Sequence, residues 1–364
     1  MLERKLIVVT GKGGVGKTTV STALGLLAAR RGLRTIVVEV TGRQGEGEAV
    51  RAGRLAALLG HGVGGTSIPP RHGVEVELQE GLLWGLSIDR DRVLAEWLRA
   101  IGGRVPARVL TSSSSFQYLI AAAPGAREMI SMVKVWELAA GRRPADRGSR
   151  RDGSSAAGAG EYELVILDAP ATGHALAMLR APRTFSAIAR MGPIARQSGQ
   201  VRELLEDPAR SAYLAVAHPT EMAVTETLEL REGLRRELGR ELDAVVVNGA
   251  LPRRFEGGEL QRIAALNGAP PSEGPVTATG PQSAREADRA GEHAVTRSAV
   301  RAAHAVHERA RSQQRQIARL RREGIDVVRV PFAFKAELDL TAVEEIAERL
   351  DAALSHLRGR GRIR

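Results

Sequence analysis

The sequence predicts an α/β fold: a doubly wound, mainly parallel sheet with an inserted α-helical subdomain. Three observations carry the prediction. The chain opens on strand, glycine loop, helix and strand, the order of a βαβ unit joining parallel neighbours. Short apolar runs then recur along the chain, with helical stretches between most of them. Residues 90–140 follow helical periodicity with no strand, as an insertion would.

Residues 5–10 (KLIVVT) form an apolar run ending at a glycine, and residues 18–31 follow with helical spacing. After the break at Gly32, residues 35–40 (TIVVEV) read as a second buried strand. Further strands are expected at residues 82–87, 163–168, 212–217, 244–248 and 326–330. Residues 141–160 contain no aliphatic side chain larger than alanine; they cannot offset their ordering entropy and are expected to be disordered. Residues 267–280 are similar in kind. Residues 296–323 predict a long, arginine-rich, solvated helix. No repeat appears at solenoid periods, so residues 1–364 are expected to form one domain around one such unit.

Composition narrows the chemistry. The 364 residues contain no cysteine, which excludes disulfides, thiolate zinc sites, iron–sulfur clusters and a cysteine nucleophile. Lys and Arg outnumber Asp and Glu by 53 to 42, a net charge of +11. The arginines are dispersed and aromatics are only 3%, which argues against a base-stacking nucleic-acid surface. No apolar run is long enough to span a bilayer, and MLERKLIVV enters a strand rather than forming a signal peptide. A cytoplasmic protein is the expectation.

Residues 11–18 fit G-x-x-x-x-G-K-[ST] between a predicted strand and a predicted helix. In such a loop the backbone of Gly11, Gly13, Gly14, Val15 and Gly16 wraps tightly, so that N–H groups point at phosphate oxygens. Lys17 reaches the β- and γ-phosphates, Thr18 offers a hydroxyl to Mg²⁺, and Thr19 continues the helix N-terminus that faces the anion. ATP and Mg²⁺ are therefore the expected ligands. An apolar strand ending in Asp168 supplies the second acidic element, holding the metal through water.

Lys12 is a second lysine at the start of the loop. The form K-G-G-x-G-K-T resembles that of a P-loop ATPase subgroup including cell-division and plasmid-partition ATPases, nitrogenase iron protein and arsenical-pump ATPases. That resemblance implies a lysine reaching across a dimer interface to the partner's nucleotide. Lys12 cannot easily fold back onto its own γ-phosphate, whereas a facing subunit presents one. The segment D-A-P-A-T-G-H, carrying Asp168, Thr172, Gly173 and His174, further resembles the D-T-A-P-T-G-H switch of the arsenical-pump ATPase (ArsA) family. The likeness continues through residues 121–138, 218–229, 245–252 and 330–338. It implies that Thr172, Gly173 and His174 sense the γ-phosphate, that Asn248 reads the adenine edge, and that residues 330–338 close over the base. It also implies a homodimer, or a pair with a related chain, cycling between ATP-closed and open states.

Three features differ from the family pattern. Thr41 stands where the family's first switch carries the aspartate that positions the attacking water. A hydroxyl can hold a water but cannot take its proton at neutral pH. Glu39 lies on the same strand face, and Glu46 and Glu48 follow nearby, so an active ATPase with turnover weakened at Thr41 is the expectation, and slow, rearranged or lost hydrolysis the alternative. The absence of cysteine removes the pump's arsenite-sensing thiols and the targeting dimer's zinc clamp. Only one ATPase unit is present. Alternatives are a non-hydrolysing, ATP-gated binding module and a partition-type ATPase with DNA affinity. The apolar band Met129, Ile130, Met132, Val133, Val135, Trp136 and Leu138, with Met178 and Met191 near the second switch, is either core or a surface for a hydrophobic client.

Overall fold

The computed structural model describes residues 1–41, 75–79, 81–89, 93, 125–141, 162–188, 193–265, 282–335 and 338–360. Eight strands form one sheet: β1 (Leu6–Gly11), β2 (Thr35–Thr41), β3 (Val76–Gln79), β4 (Leu83–Asp89), β5 (Leu164–Ala171), β6 (Ser211–Ala217), β7 (Ala244–Ala250) and β8 (Val327–Pro331). Their order is β3-β4-β2-β5-β1-β6-β7-β8, parallel throughout except for the edge pair β3–β4. β1 is central, with β2 and β4 to one side and β6 to β8 to the other. This is the switch point at which doubly wound sheets place their ligands.

The described helices are α1 (Lys17–Arg30), α2 (Ala126–Ala139), α3 (Thr172–Ile188), α4 (Pro193–Glu206), α5 (Glu221–Leu238), α6 (Gly257–Ala265), α7 (Gln282–Arg322) and α8 (Leu340–Arg360). Leu6, Val8, Val165, Leu167, Ala215 and Val245 bury one face of the sheet against α2, α3, α4 and α5. Ile7, Val9, Ile166, Leu214 and Val246 bury the other against α1 and α8. The central strands are therefore apolar on both faces, which is why they read as continuous runs. α1 lies between sheet and α8 and is buried from Thr19 to Ala29. Ion pairs Arg30–Glu344 and Arg31–Asp351 tie it to α8.

Four expectations change. β5 runs past Asp168 to Ala171, so the carboxylate lies within the strand rather than at its end. β3 was not anticipated: VELQ is a four-residue edge strand that pairs antiparallel to β4 through the turn at Gly81. β4 runs on to Asp89 rather than stopping at residue 87. The arginine-rich helix begins at Gln282, and its 41 residues span roughly 60 Å. The expected disordered segments 141–160 and 267–280, apart from residue 141, lie outside the described residues. So do residues 94–124 of the helical insertion, Glu46, Glu48 and Met191. In the described part of that insertion, α2 puts Met129, Ile130, Met132, Val133, Val135, Trp136 and Leu138 into the core, alongside Met178 of α3. Of the two readings of this apolar band, the structure shows core packing.

Gly11 ends β1 at a φ of 147°, and a Cβ there would lie 2.1 Å from the backbone oxygen of Val216. Backbone cannot swing aside as a side chain would. Gly11→Ala is expected to cost roughly 2–4 kcal/mol of stability, measured as a fall of several degrees in melting temperature.

Candidate nucleotide site

The loop leaves β1 at Gly11 and enters α1 at Lys17. Its tip is pinned from below by Val15, 2% exposed in the core between sheet and α1. Gly13 and Gly14 face solvent. Gly16 is the N-cap of α1, at a left-handed φ of 91°, and makes no side-chain capping bond. A Cβ at Gly16 would lie 2.3 Å from the Asn248 amide nitrogen, so a glycine is required on both counts. No acidic residue occupies the first turn of α1. Its leading N–H groups are thus uncapped at a helix N-terminus, the arrangement that accepts an anion.

Lys17 is largely buried, and its Nζ donates to the Lys12 carbonyl at 3.0 Å. Burial pulls the ammonium below its ordinary lysine value, with the Asp168 carboxylate opposing. Thr18 Oγ1 donates to Asp168 Oδ2 at 2.7 Å, and Ser21 Oγ to Asp168 Oδ1 at 3.3 Å. Asp168 is 5% exposed, so this carboxylate is held in place by two hydroxyls of one helix face. Hydroxyl and carboxylate are the hard oxygen donors that Mg²⁺ takes, usually beside phosphate oxygens and water. Among the described residues no group of three His, Cys, Asp or Glu side chains could hold a metal by itself. The donor set therefore fits a Mg²⁺ that arrives with phosphate, with Thr18 as ligand and Asp168 behind it.

β2 lies beside β5, and Glu39 pairs in register with Asp168 on one side and Ser87 on the other. Glu39 is half-buried at this row. Thr41 ends β2 opposite Asp89 of β4. Thr172 opens α3 directly after β5; its hydroxyl is buried without a hydrogen-bond partner among the described residues, while Gly173 and His174 are exposed. Thr10 Oγ1, at the end of β1, is a second such hydroxyl. Both lie at the strand ends that flank the loop, where a phosphate or water would satisfy them.

Asn248 sits on β7 across from the loop. Its Nδ2 donates to the Val15 carbonyl at 2.9 Å, and its own carbonyl bonds His218 Nδ1 at 3.0 Å. In this structure the amide buttresses the loop, a use the sequence did not reveal. Asn248→Ala is expected to weaken ATP binding roughly 2- to 10-fold, the worth of one net hydrogen bond, measured by calorimetry. Beyond β7, Phe332 and Phe334 pack edge to face with centroids 4.9 Å apart, both markedly exposed. Arg254 lies over the Phe334 ring.

Lys12 is engaged. Its Nζ lies 2.7 Å from Glu226 Oε1 and 2.6 Å from Met222 Sδ, both on α5. Ser21, Met222 and Glu226 are the contacts sequence reasoning missed. Only spacing could have hinted at them: Thr18 and Ser21 are three apart on one helix, Met222 and Glu226 four apart on another.

Residues 6–256 match the model of the CobQ/CobB/MinD/ParA nucleotide-binding domain. ATPase BagA of Mycobacterium tuberculosis is 28% identical over 269 residues, covering 71% of this chain and 69% of that protein. An arsenical pump-driving ATPase of Acidiphilium multivorum is 26% identical over 258 residues, covering 67% of this chain but 39% of the relative. The pump ATPase is thus far longer than the stretch it shares. With the uncapped loop at the sheet's switch point and a match across more than half its length, the chain belongs to the CobQ/CobB/MinD/ParA nucleotide-binding domain family and is ArsA-like within it.

Proposed function

We propose that the protein is a Mg²⁺-dependent ATP hydrolase that works as a dimer of like subunits, closed by ATP and reopened by hydrolysis. The observation that carries this reading is the uncapped N-terminus of α1, with Lys17 above it and the Thr18–Asp168 pair beside it. Loop N–H groups and Lys17 hold the β- and γ-phosphates, and Lys17 exchanges its bond to the Lys12 carbonyl for one to phosphate. Mg²⁺ bound by Thr18, with Asp168 behind, would neutralise charge on those oxygens. Water adds to the γ-phosphorus as the bond to the β–γ bridging oxygen breaks, giving ADP and inorganic phosphate. The partner's Lys12 stabilises the charge moving onto the leaving oxygen.

Glu39, in the row of Asp168, is the carboxylate assigned to the attacking water, with the Thr41 hydroxyl helping to orient it. Thr172, Gly173 and His174 form the segment that answers the γ-phosphate. Asn248 meets the adenine edge with its remaining amide groups, and Phe332 supplies a face for the base. The apolar side chains of α2 are taken up by the core, so α2 is not assigned to a hydrophobic client. Phosphate release from ATP by the purified protein, with mass measured in ADP and in ATP, tests the reading. Turnover accompanied by an ATP-dependent dimer is expected. ATP-driven dimerisation with no turnover would instead identify a binding module.

A second reading, ATP-dependent DNA binding, has one observation in its favour. Burial, with the charges of Arg321 and Arg253, lowers Arg329 below its ordinary value. The cavity of about 720 Å³ that Arg253 helps to line also carries Arg254, His307 and Arg311, but with Glu256 and Glu259 among them, which offsets the charge. Binding to a labelled duplex that rises with ATP and falls steeply with salt would establish it. Weak, nucleotide-independent binding is expected here.

A further inference from the structure

Lys12 is held at two points. Its backbone carbonyl accepts from Lys17, and its ammonium is paired to Glu226 with the Met222 thioether alongside. Glu226 makes no other ion pair among the described residues. Both side chains are about one-third exposed, at 37% for Lys12 and 32% for Glu226, and Met222 is 64% exposed. The pair therefore lies at the surface of the subunit, beside the mouth of the loop, where a second copy could reach it. α5 follows β6, which pairs directly with β1, so carboxylate and loop are carried by adjacent strands and keep a fixed relation.

From this geometry we infer that Glu226 is the counter-ion that holds Lys12 in place in the unpaired subunit. Closure of the nucleotide-bound dimer then transfers the Lys12 ammonium from Glu226 to the partner's phosphates. The inference rests on the trans role of Lys12 proposed above and adds its control. Two conditions release the lysine. ATP in its own loop draws Lys17 off the Lys12 carbonyl, and ATP in the partner supplies the stronger anion. Glu226 and Lys12 form a part-exposed ion pair, which is weak, whereas a triphosphate in a water-poor interface is not. Glu226 keeps its place on α5 through the exchange, because α5 follows a strand paired to β1, so its carboxylate takes the lysine back once phosphate has left. A subunit facing an empty partner has nothing to exchange for, and Lys12 stays on α5.

Glu226→Gln removes the charge and keeps the shape. Each part-exposed pair is worth roughly 1.5- to 5-fold, and two break per dimer, so the dimer dissociation constant in ATP is expected to fall roughly 2- to 25-fold. At subunit concentrations below that constant, turnover rises by a like factor. Because the effect acts through Lys12, Glu226→Gln placed on Lys12→Ala is expected to match Lys12→Ala alone within about twofold. Melting curves of the single variants confirm that each is folded. Unchanged or weaker pairing in Glu226→Gln would overturn the proposal. So would an equal gain in the Lys12→Ala background, which would mean that the carboxylate merely repels the partner. The trans reading fails by a different result: Lys12→Ala pairing and turning over as wild type does.

Discussion

Lys17→Met is expected to lower ATP turnover by roughly 10²–10³-fold, the scale of removing one preorganised donor from a developing anion. It should do so without unfolding the protein. Burial already disfavours the Lys17 ammonium, and among the described residues its compensation is one backbone carbonyl and the Asp168 charge. A methionine of similar length removes the desolvation cost along with the charge. Melting temperature without nucleotide should therefore hold or rise. ATP should cease to raise it, although at a hundred times its dissociation constant a ligand contributes about 2.7 kcal/mol.

The same shift sets a pH dependence. In the folded, nucleotide-free protein Lys17 loses its proton at a lower pH than in the unfolded chain. Between the lowered value and the ordinary lysine value, the unfolded state binds more protons, so stability from this group rises with pH. Below that window the cost of the buried charge is fully present. Lys17→Met should lack the rise. A variant that melts lower than wild type yet keeps its turnover would contradict the assignment.

Lys12→Ala is expected to lower turnover by at least roughly 10²-fold, judged against other cations supplied in trans to phosphoryl transfer. ATP affinity of the single subunit should change little. The part of Lys12 that touches its own loop is the carbonyl, which alanine retains. The part that is lost is a surface pair with Glu226, worth about 0.2–1 kcal/mol. Binding intact with turnover lost and pairing weakened but still measurable is a pattern that a merely structural lysine would not give. Equilibrium dialysis and light scattering on the same samples separate the two.

The loop was legible because its chemistry is backbone chemistry. Glycines at fixed offsets between an apolar run and a helix leave little else for the chain to do there. Asp168 was legible as the charge that follows an apolar run; β5 continues past it to Ala171, and its bonds to Thr18 and Ser21 are what hold it beside the loop. The central strands were legible because both faces are buried. β3 was not, since Val76-Glu77-Leu78-Gln79 is too short and too polar to stand out from a turn. The start of α7 was missed because its first turns carry no apolar stripe.

What sequence could not give were the partners chosen by tertiary packing. Ser21 and Asp168 are 147 positions apart, and Lys12 and Glu226 are 214 apart. The segment 218–229 stood out by resemblance, but nothing local says that Glu226 would meet Lys12. The apolar band of α2 was ambiguous for a related reason: helical spacing says that a face is buried, not what buries it. The structure buries it in the chain's own core.

The central claim, that each site is completed by the other subunit's Lys12, is tested most directly by mixing. Lys12→Ala keeps an intact loop and lacks the donated lysine; Lys17→Met keeps the lysine and lacks the loop. In a mixed dimer the first subunit holds ATP and the second supplies Lys12 to it. The account predicts that the mixture hydrolyses ATP well above the sum of the two variants measured separately. A mixture no more active than that sum, with mixed dimers shown to be present, would contradict it.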